Sequence, residues 1–205
     1  QIDRVITMED CQNNIISELT ITGGITYGDY PDNYGGGMYL RNSNPTLTHV
    51  TIESNTADEG GGMLLAGSNP TLTHVTIENN TANFGGGMVL VYSNPTITHV
   101  TIAINTAEYS GGMYLYYSNP IITNVTISKN TAVGGGGILL SFSNPTLTHV
   151  TIDNNTANYN FGGGMYFYSS TPTLIHATIT NNSAFRGGGI GLQENSDVTL
   201  SNSIH

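Results

Sequence analysis

The 205-residue chain carries a net charge of −10, with only four Lys or Arg and 9% charged residues, against about 25% in an ordinary globular domain. Four cations cannot make the basic surface that neutralises phosphates, which excludes nucleic acid as a partner. A single cysteine, Cys11, excludes an internal disulfide, and no apolar run is long enough for a membrane-spanning helix. What fills the composition instead is 26 Gly, 28 Thr and 24 Asn. The sequence opens at Gln1 and shows no signal-peptide pattern, so a mature secreted chain or an excised fragment is expected.

In chain order, the first predicted element is a partial strand over 5–8, and the second is a strand over 14–22 that aligns on residues 45–53. A polar loop follows over 23–35, where Asp29, Tyr30, Pro31, Asp32 and Asn33 favour turns. From there the sequence repeats. Met38, Met63, Met88, Met113, Ile138, Met165 and Ile190 each follow a Gly pair, 25 residues apart with one interval of 27. Asn-Pro recurs at Asn44-Pro45, Asn69-Pro70, Asn94-Pro95, Asn119-Pro120 and Asn144-Pro145, and becomes Thr171-Pro172. Alternation of period two, as in Met38-Tyr39-Leu40 and Val50-Thr51-Ile52, marks strands, and nothing has helical period. The last strand, 198–205, aligns on the Thr-Leu-Thr-His-Val-Thr-Ile stretch and leaves its coil incomplete at 205.

A unit of two or three short strands cannot bury its apolar face alone. Stacked units bury it, one coil per repeat at about 4.8 Å spacing. The predicted fold is therefore an all-β, single-stranded parallel solenoid, one domain over 1–205 with about seven to eight coils. Met38, Leu40, Leu47, Val50, Ile52 and Ala57 head its inward columns. Asn55, Asn80, Asn105, Asn130, Asn155 and Asn182 fall in one turn column and are expected to form a structural amide ladder.

The run Gly-Gly-Gly-Met, then Ser-Asn-Pro-Thr-Leu-Thr-His-Val-Thr-Ile, then Ile-x-x-Asn-Thr-Ala resembles the repeats of bacterial secreted and surface proteins with a right-handed, pectin-lyase-like β-helix. It is similar to the repeat of polymorphic outer membrane proteins, which carries Gly-Gly-Ala-Ile and Phe-x-x-Asn. Here the Ala is Gly, and Ile52, Ile77, Ile102, Ile127, Ile152 and Ile179 replace the Phe. The resemblance implies a right-handed coil and an extracellular or cell-surface location. Polysaccharide lyases and hydrolases of this fold cluster Asp with Arg or Lys. In this chain Glu53 and Glu78 are column neighbours and Asp153 shares their column, but Arg41, Lys129 and Arg186 fall in other columns. A glycan-degrading enzyme is therefore disfavoured, and no catalytic residue, metal or cofactor is expected.

Two faces remain as candidates for function. The outward positions of the first strand, with the residues beside them, are aromatic or apolar: Tyr39, Leu64, Val89, Val91, Tyr92, Tyr114, Tyr116, Tyr117, Leu139, Phe142, Tyr166 and Tyr168. A solvated strand face is expected to be polar, so this one is predicted to bind a partner. The expected partner is a second copy or the rest of a longer surface protein, with a glycan or host surface as a further class. Pairing through open coil ends would give a head-to-tail filament. The alternative face is threonine: Thr46, Thr48, Thr71, Thr73, Thr96, Thr98, Thr123, Thr146 and Thr148 form stacked Thr-x-Thr columns like those of β-solenoid antifreeze proteins, implying ice binding. His49, His74, His99, His149 and His176 share a column with Asn124. Because Asn substitutes freely there, a corner role is expected rather than metal binding.

Overall fold

The computed structural model describes residues 3–29 and 31–203. Tyr30 of the predicted loop and the last two residues of the predicted strand 198–205 lie outside them. The chain winds as a right-handed parallel β-helix, with three sheets and no helices among the described residues. Sheet A has eight strands, from Ile6–Glu9 through Met38–Arg41, Met63–Ala66, Met88–Val91, Met113–Tyr116, Ile138–Ser141 and Met165–Tyr168 to Ile190–Gln193. Among the described residues sheet B has thirteen strands and carries two segments of each coil except the last, which contributes Thr199–Ser201 alone. The early coils hold both segments in one strand, Gln12–Thr22 and Asn44–Glu53. Later coils divide them, as in Thr71–Thr73 and Thr76–Glu78. Sheet C has five strands, beginning with Thr81–Phe84.

Apart from shifts between Gln12 and Ile15 and between Ala157 and Phe161, the pairings keep the repeat in register, so like stacks on like: Met38 on Met63, Leu47 on Leu72, Ile52 on Ile77. The inward columns form one continuous core in which Met63, Leu65, Leu72, Val75 and Ile77 are at most 1% exposed. The extra two residues between Ile138 and Met165 are accommodated in sheet C, where the register shifts between Ala157 and Phe161.

Each coil turns at left-handed residues. In one coil these are Gly67, His74, Asn79 and Gly85, with φ of 60°, 53°, 55° and 59°. A strand alternates inward and outward positions, and each left-handed residue resets that phase. Hence the residues that follow, Ser68, Val75, Asn80 and Gly86, are all buried. This conformation costs an L-residue about 1–2 kcal/mol and is tolerated best by Gly, Asn and Asp, which accounts for much of the Gly and Asn in the composition.

Breaking the strand at these turns leaves buried amides to satisfy, and two side-chain ladders do so. Asn80 donates its backbone N–H to Oδ1 of Asn105 at 2.9 Å, and its Nδ2 donates to the Ile52 carbonyl at 3.0 Å and to Asn105 Oδ1 at 3.1 Å. Asn55, Asn105, Asn130 and Asn155 repeat the pattern on the next coil, ending at Asn182. The second ladder is serine. Ser43, Ser68, Ser93, Ser118 and Ser143 each donate backbone N–H to the next Ser Oγ at 2.9–3.0 Å, and Ser170 carries the ladder on to Ser196 Oγ at 3.1 Å. Sequence reasoning missed it, although the signal is plain: Ser43, Ser68, Ser93, Ser118 and Ser143 stand immediately before Asn-Pro, and Ser170 before Thr-Pro.

Candidate functional site

The outward side of sheet A is not one open face. Tyr39, Leu64 and Val89, predicted to contact a partner, are 1%, 0% and 0% exposed. They form a second, smaller core, packed with Tyr34, Ala66, Val91 and Tyr114. The chain entering sheet A covers them. Its left-handed Gly folds the preceding turn back over the strand, so closely that a Cβ on Gly60 would lie 3.0 Å from Leu64 Cβ. Tyr34 meets the Tyr39 ring edge-on at 6.0 Å. In later coils the cover is aromatic: Phe84 lies 6.1 Å from Tyr114, and Phe161 stacks on Tyr166 at 5.9 Å. Val91, Tyr114, Tyr116, Leu139 and Tyr166 are consequently half-buried. Of the other aromatics near the Gly turn, Tyr159 and Phe185 stay exposed, at 79% and 77%.

What projects from the fold is a ridge at the next corner. Tyr92, Tyr117 and Phe142 are 61%, 42% and 39% exposed. Their rings stack in line, 5.3 Å apart for Tyr92 and Tyr117 and 4.8 Å for Tyr117 and Phe142. Tyr116 buttresses them edge-on, at 5.9 Å from Tyr92 and 4.7 Å from Tyr117, and Tyr168 meets Phe142 the same way at 5.6 Å. All three ridge residues are left-handed, with φ of 49°, 48° and 50°. Asn42, Gly67 and Ser169 hold the same corner in flanking coils. Bulky aromatics are poor occupants of this conformation, and three consecutive coils use them.

The threonine columns are in register across sheet B. Thr46, Thr71, Thr96 and Thr146 are exposed, and Thr48, Thr73, Thr98, Thr123 and Thr148 are half-exposed. Ile121 interrupts the first column and Ile175 the second. The His column is a left-handed corner, φ 52–54°, with exposed rings stacked at 4.9 Å for His49 and His74 and 5.0 Å for His74 and His99. Asn124 reaches His99 Nε2 at 3.4 Å. Among the described residues no group of three or more His, Cys, Asp or Glu is placed to hold a metal ion.

Glu53 and Glu78 are paired in register. Asp153, lower in that column, accepts from Asn181 Nδ2 at 2.8 Å and Thr180 Oγ1 at 2.9 Å, and these donors hold its carboxyl below the ordinary range.

A model of the family described as "Right handed beta helix region" matches residues 4–149. The chain belongs to this family. No curated protein and no solved structure matches it. In this right-handed beta helix the matched span includes the ridge corner of Tyr92, Tyr117 and Phe142 and four of the six ladder asparagines.

Proposed function

We propose that the protein is a non-enzymatic structural or adhesive module, extracellular or on a cell surface, that associates through the aromatic ridge, with a second copy of the chain as the expected partner. One observation carries this reading: three stacked, exposed rings occupy left-handed corners where flanking coils have Asn, Gly and Ser. Backbone strain kept at an exposed site points to a role that outweighs its destabilising effect. Rings already stacked and buttressed lose little freedom on binding, and aromatic side chains are the commonest anchors of protein interfaces.

The test is a triple variant, Tyr92→Asn with Tyr117→Asn and Phe142→Asn, compared with the parent by sedimentation velocity and negative-stain microscopy. The parent is expected to associate, and the variant to be monomeric and no less stable, because Asn suits the corner. A parent monomeric at all concentrations, or a variant that associates equally well, overturns the proposal.

A second reading is favoured by the in-register threonine columns, which offer a regular hydroxyl and methyl grid of the kind that orders water. Thermal hysteresis in the parent, abolished by Thr73→Lys or Thr98→Lys, is its expected result. No hysteresis in the parent removes it.

A further inference from the structure

The turns that cover sheet A leave an opening. A cavity of about 290 Å³ lies between Tyr34, Glu59 and Phe84 on the covering side and Val91, Tyr114 and Tyr116 on the sheet. Parallel bridges from Tyr34 to Glu59 and from Glu59 to Phe84 align the covering residues across successive coils. The rings meet at angles: Phe84 and Tyr114 are tilted by 35° at 6.1 Å, and Tyr114 and Tyr116 by 43° at 6.4 Å. The walls are tilted against one another around a partly open cavity rather than lying in one plane.

Glu59 is half-buried in this cavity. Burial pushes its carboxyl above the ordinary range, and the neighbouring Asp58 adds to the effect. Among the described residues no hydrogen-bond donor or cation is set against that carboxylate. The four basic side chains of the protein are engaged elsewhere. Arg4 lies 4.9 Å over the Tyr39 ring and donates to the Pro31 carbonyl at 2.7 Å. Arg41 pairs with Glu9 at 3.2 Å. Arg186 leans on Phe161 and Phe185, and Lys129 acts on Asp153. A carboxylate held in an aromatic pocket without a counter-ion is unfavourable until a cation enters. Angled aromatic faces attract the same ligand, because their quadrupoles are negative over the ring.

We propose that this cavity binds an organic ammonium head group of the choline type, with the aromatic rings around the cation and Glu59 as its counter-ion. The shape argues against a saccharide: a sugar chain needs a flat stacking platform and a longer cleft, and the volume lies at the lower bound of about 300–1,000 Å³ for ligand pockets. The cavity shares Tyr116 with the ridge, but Glu59 touches no ridge ring, so substitution at Glu59 tests this inference apart from the ridge.

The experiment titrates choline chloride into the full chain, followed by calorimetry and by Tyr and Phe ring shifts in NMR. The comparators are 3,3-dimethylbutan-1-ol, the neutral isostere, and N-acetylglucosamine. Choline is expected to bind at least about tenfold more tightly than either, a difference of about 1.4 kcal/mol. Glu59→Gln is expected to weaken choline by a similar factor, and Glu78→Gln, on sheet B, to change nothing. Should Glu59→Gln fail to fold, Val91→Trp fills the cavity without touching the charge and is expected to abolish binding. Flotation with phosphatidylcholine vesicles separates the sources: co-flotation of the parent but not of Glu59→Gln assigns a lipid head group, and its absence with choline binding retained assigns the free ion. Equal binding of the isostere, preference for the sugar, unchanged affinity in folded Glu59→Gln, or no saturable choline signal each overturns the proposal.

Discussion

Replacing Asn105 by Ala tests whether the buried amide ladder stabilises the coil or merely occupies it. Asn105 is 0% exposed. Its Oδ1 accepts from Asn80 N at 2.9 Å and Asn80 Nδ2 at 3.1 Å, and its Nδ2 donates to the Ile77 carbonyl at 3.0 Å and Asn130 Oδ1 at 3.1 Å. Alanine removes all four bonds. Asn80 N–H loses its acceptor, one hydrogen of Asn80 Nδ2 loses another, and the Ile77 carbonyl loses a donor. A buried polar group left without a partner is destabilising by about 1–3 kcal/mol. The worked loss is therefore about 4 kcal/mol, allowing for partial relaxation and retention of the Asn80 bond to Ile52. The companion variant Asn69→Ala removes the acceptor of Asn94 N–H at an exposed site. Water replaces that partner, so the expected loss is under about 1 kcal/mol. Urea unfolding followed by circular dichroism gives both values from the midpoint and slope. If Asn105→Ala costs no more than Asn69→Ala, the ladder is not what closes the turn.

Three further outcomes are expected. Ile104 is a β-branched residue at φ 58° and 48% exposed, in the corner that Asn79 and Asn154 occupy at 55° and 54°; Ile104→Asn should raise stability by about 1 kcal/mol and the melting temperature by about 2–4 °C, and a lower melting temperature contradicts the strain argument. Gly86→Ala places a Cβ 2.6 Å from the Thr106 carbonyl oxygen; because backbone from the next coil blocks the space, the variant should unfold at markedly lower urea or fail to express in soluble form, and a parent-like midpoint would refute the close packing. Burial holds the folded-state pKa of Glu59 above the ordinary glutamate value of 4.5, so ionising it works against the fold. The associated stability is present below pH 4.5 and lost as pH rises through the folded-state value. Glu59→Gln should therefore melt higher than the parent at pH 7 and match it at about pH 4; a difference that does not change with pH counts against the burial argument.

Asp153 behaves in the opposite sense. Its carboxyl is held low by Asn181 and Thr180, so its contribution is present above the ordinary carboxylate range and lost as pH falls through the lower folded-state value. The parent should therefore lose stability on strong acidification by a step that Asp153→Asn lacks. The two carboxylates make separable signatures in one acid titration.

The sequence by itself determined the solenoid. Spacing of Met38, Met63 and Met88, and the alternation around them, leaves stacking as the only way to bury those columns. It also determined the in-register threonines and the asparagine column, because identical coils in parallel register place like residues together. The Ser ladder follows from the same register, because Ser43, Ser68, Ser93, Ser118 and Ser143 each precede Asn-Pro.

The outward side of sheet A was decided by the tertiary structure. Alternation tells that Tyr39, Leu64 and Val89 point away from the core, but not that another layer of backbone lies above them. That depends on left-handed φ at Gly35, Gly60 and Gly85, a backbone property that the letter Gly permits without requiring. The same turns divide one apparent apolar strip into a covered second core, a ridge at Tyr92, Tyr117 and Phe142, and a cavity around Glu59. Local sequence specifies which way a side chain points; what lies over it depends on how the chain returns one coil later.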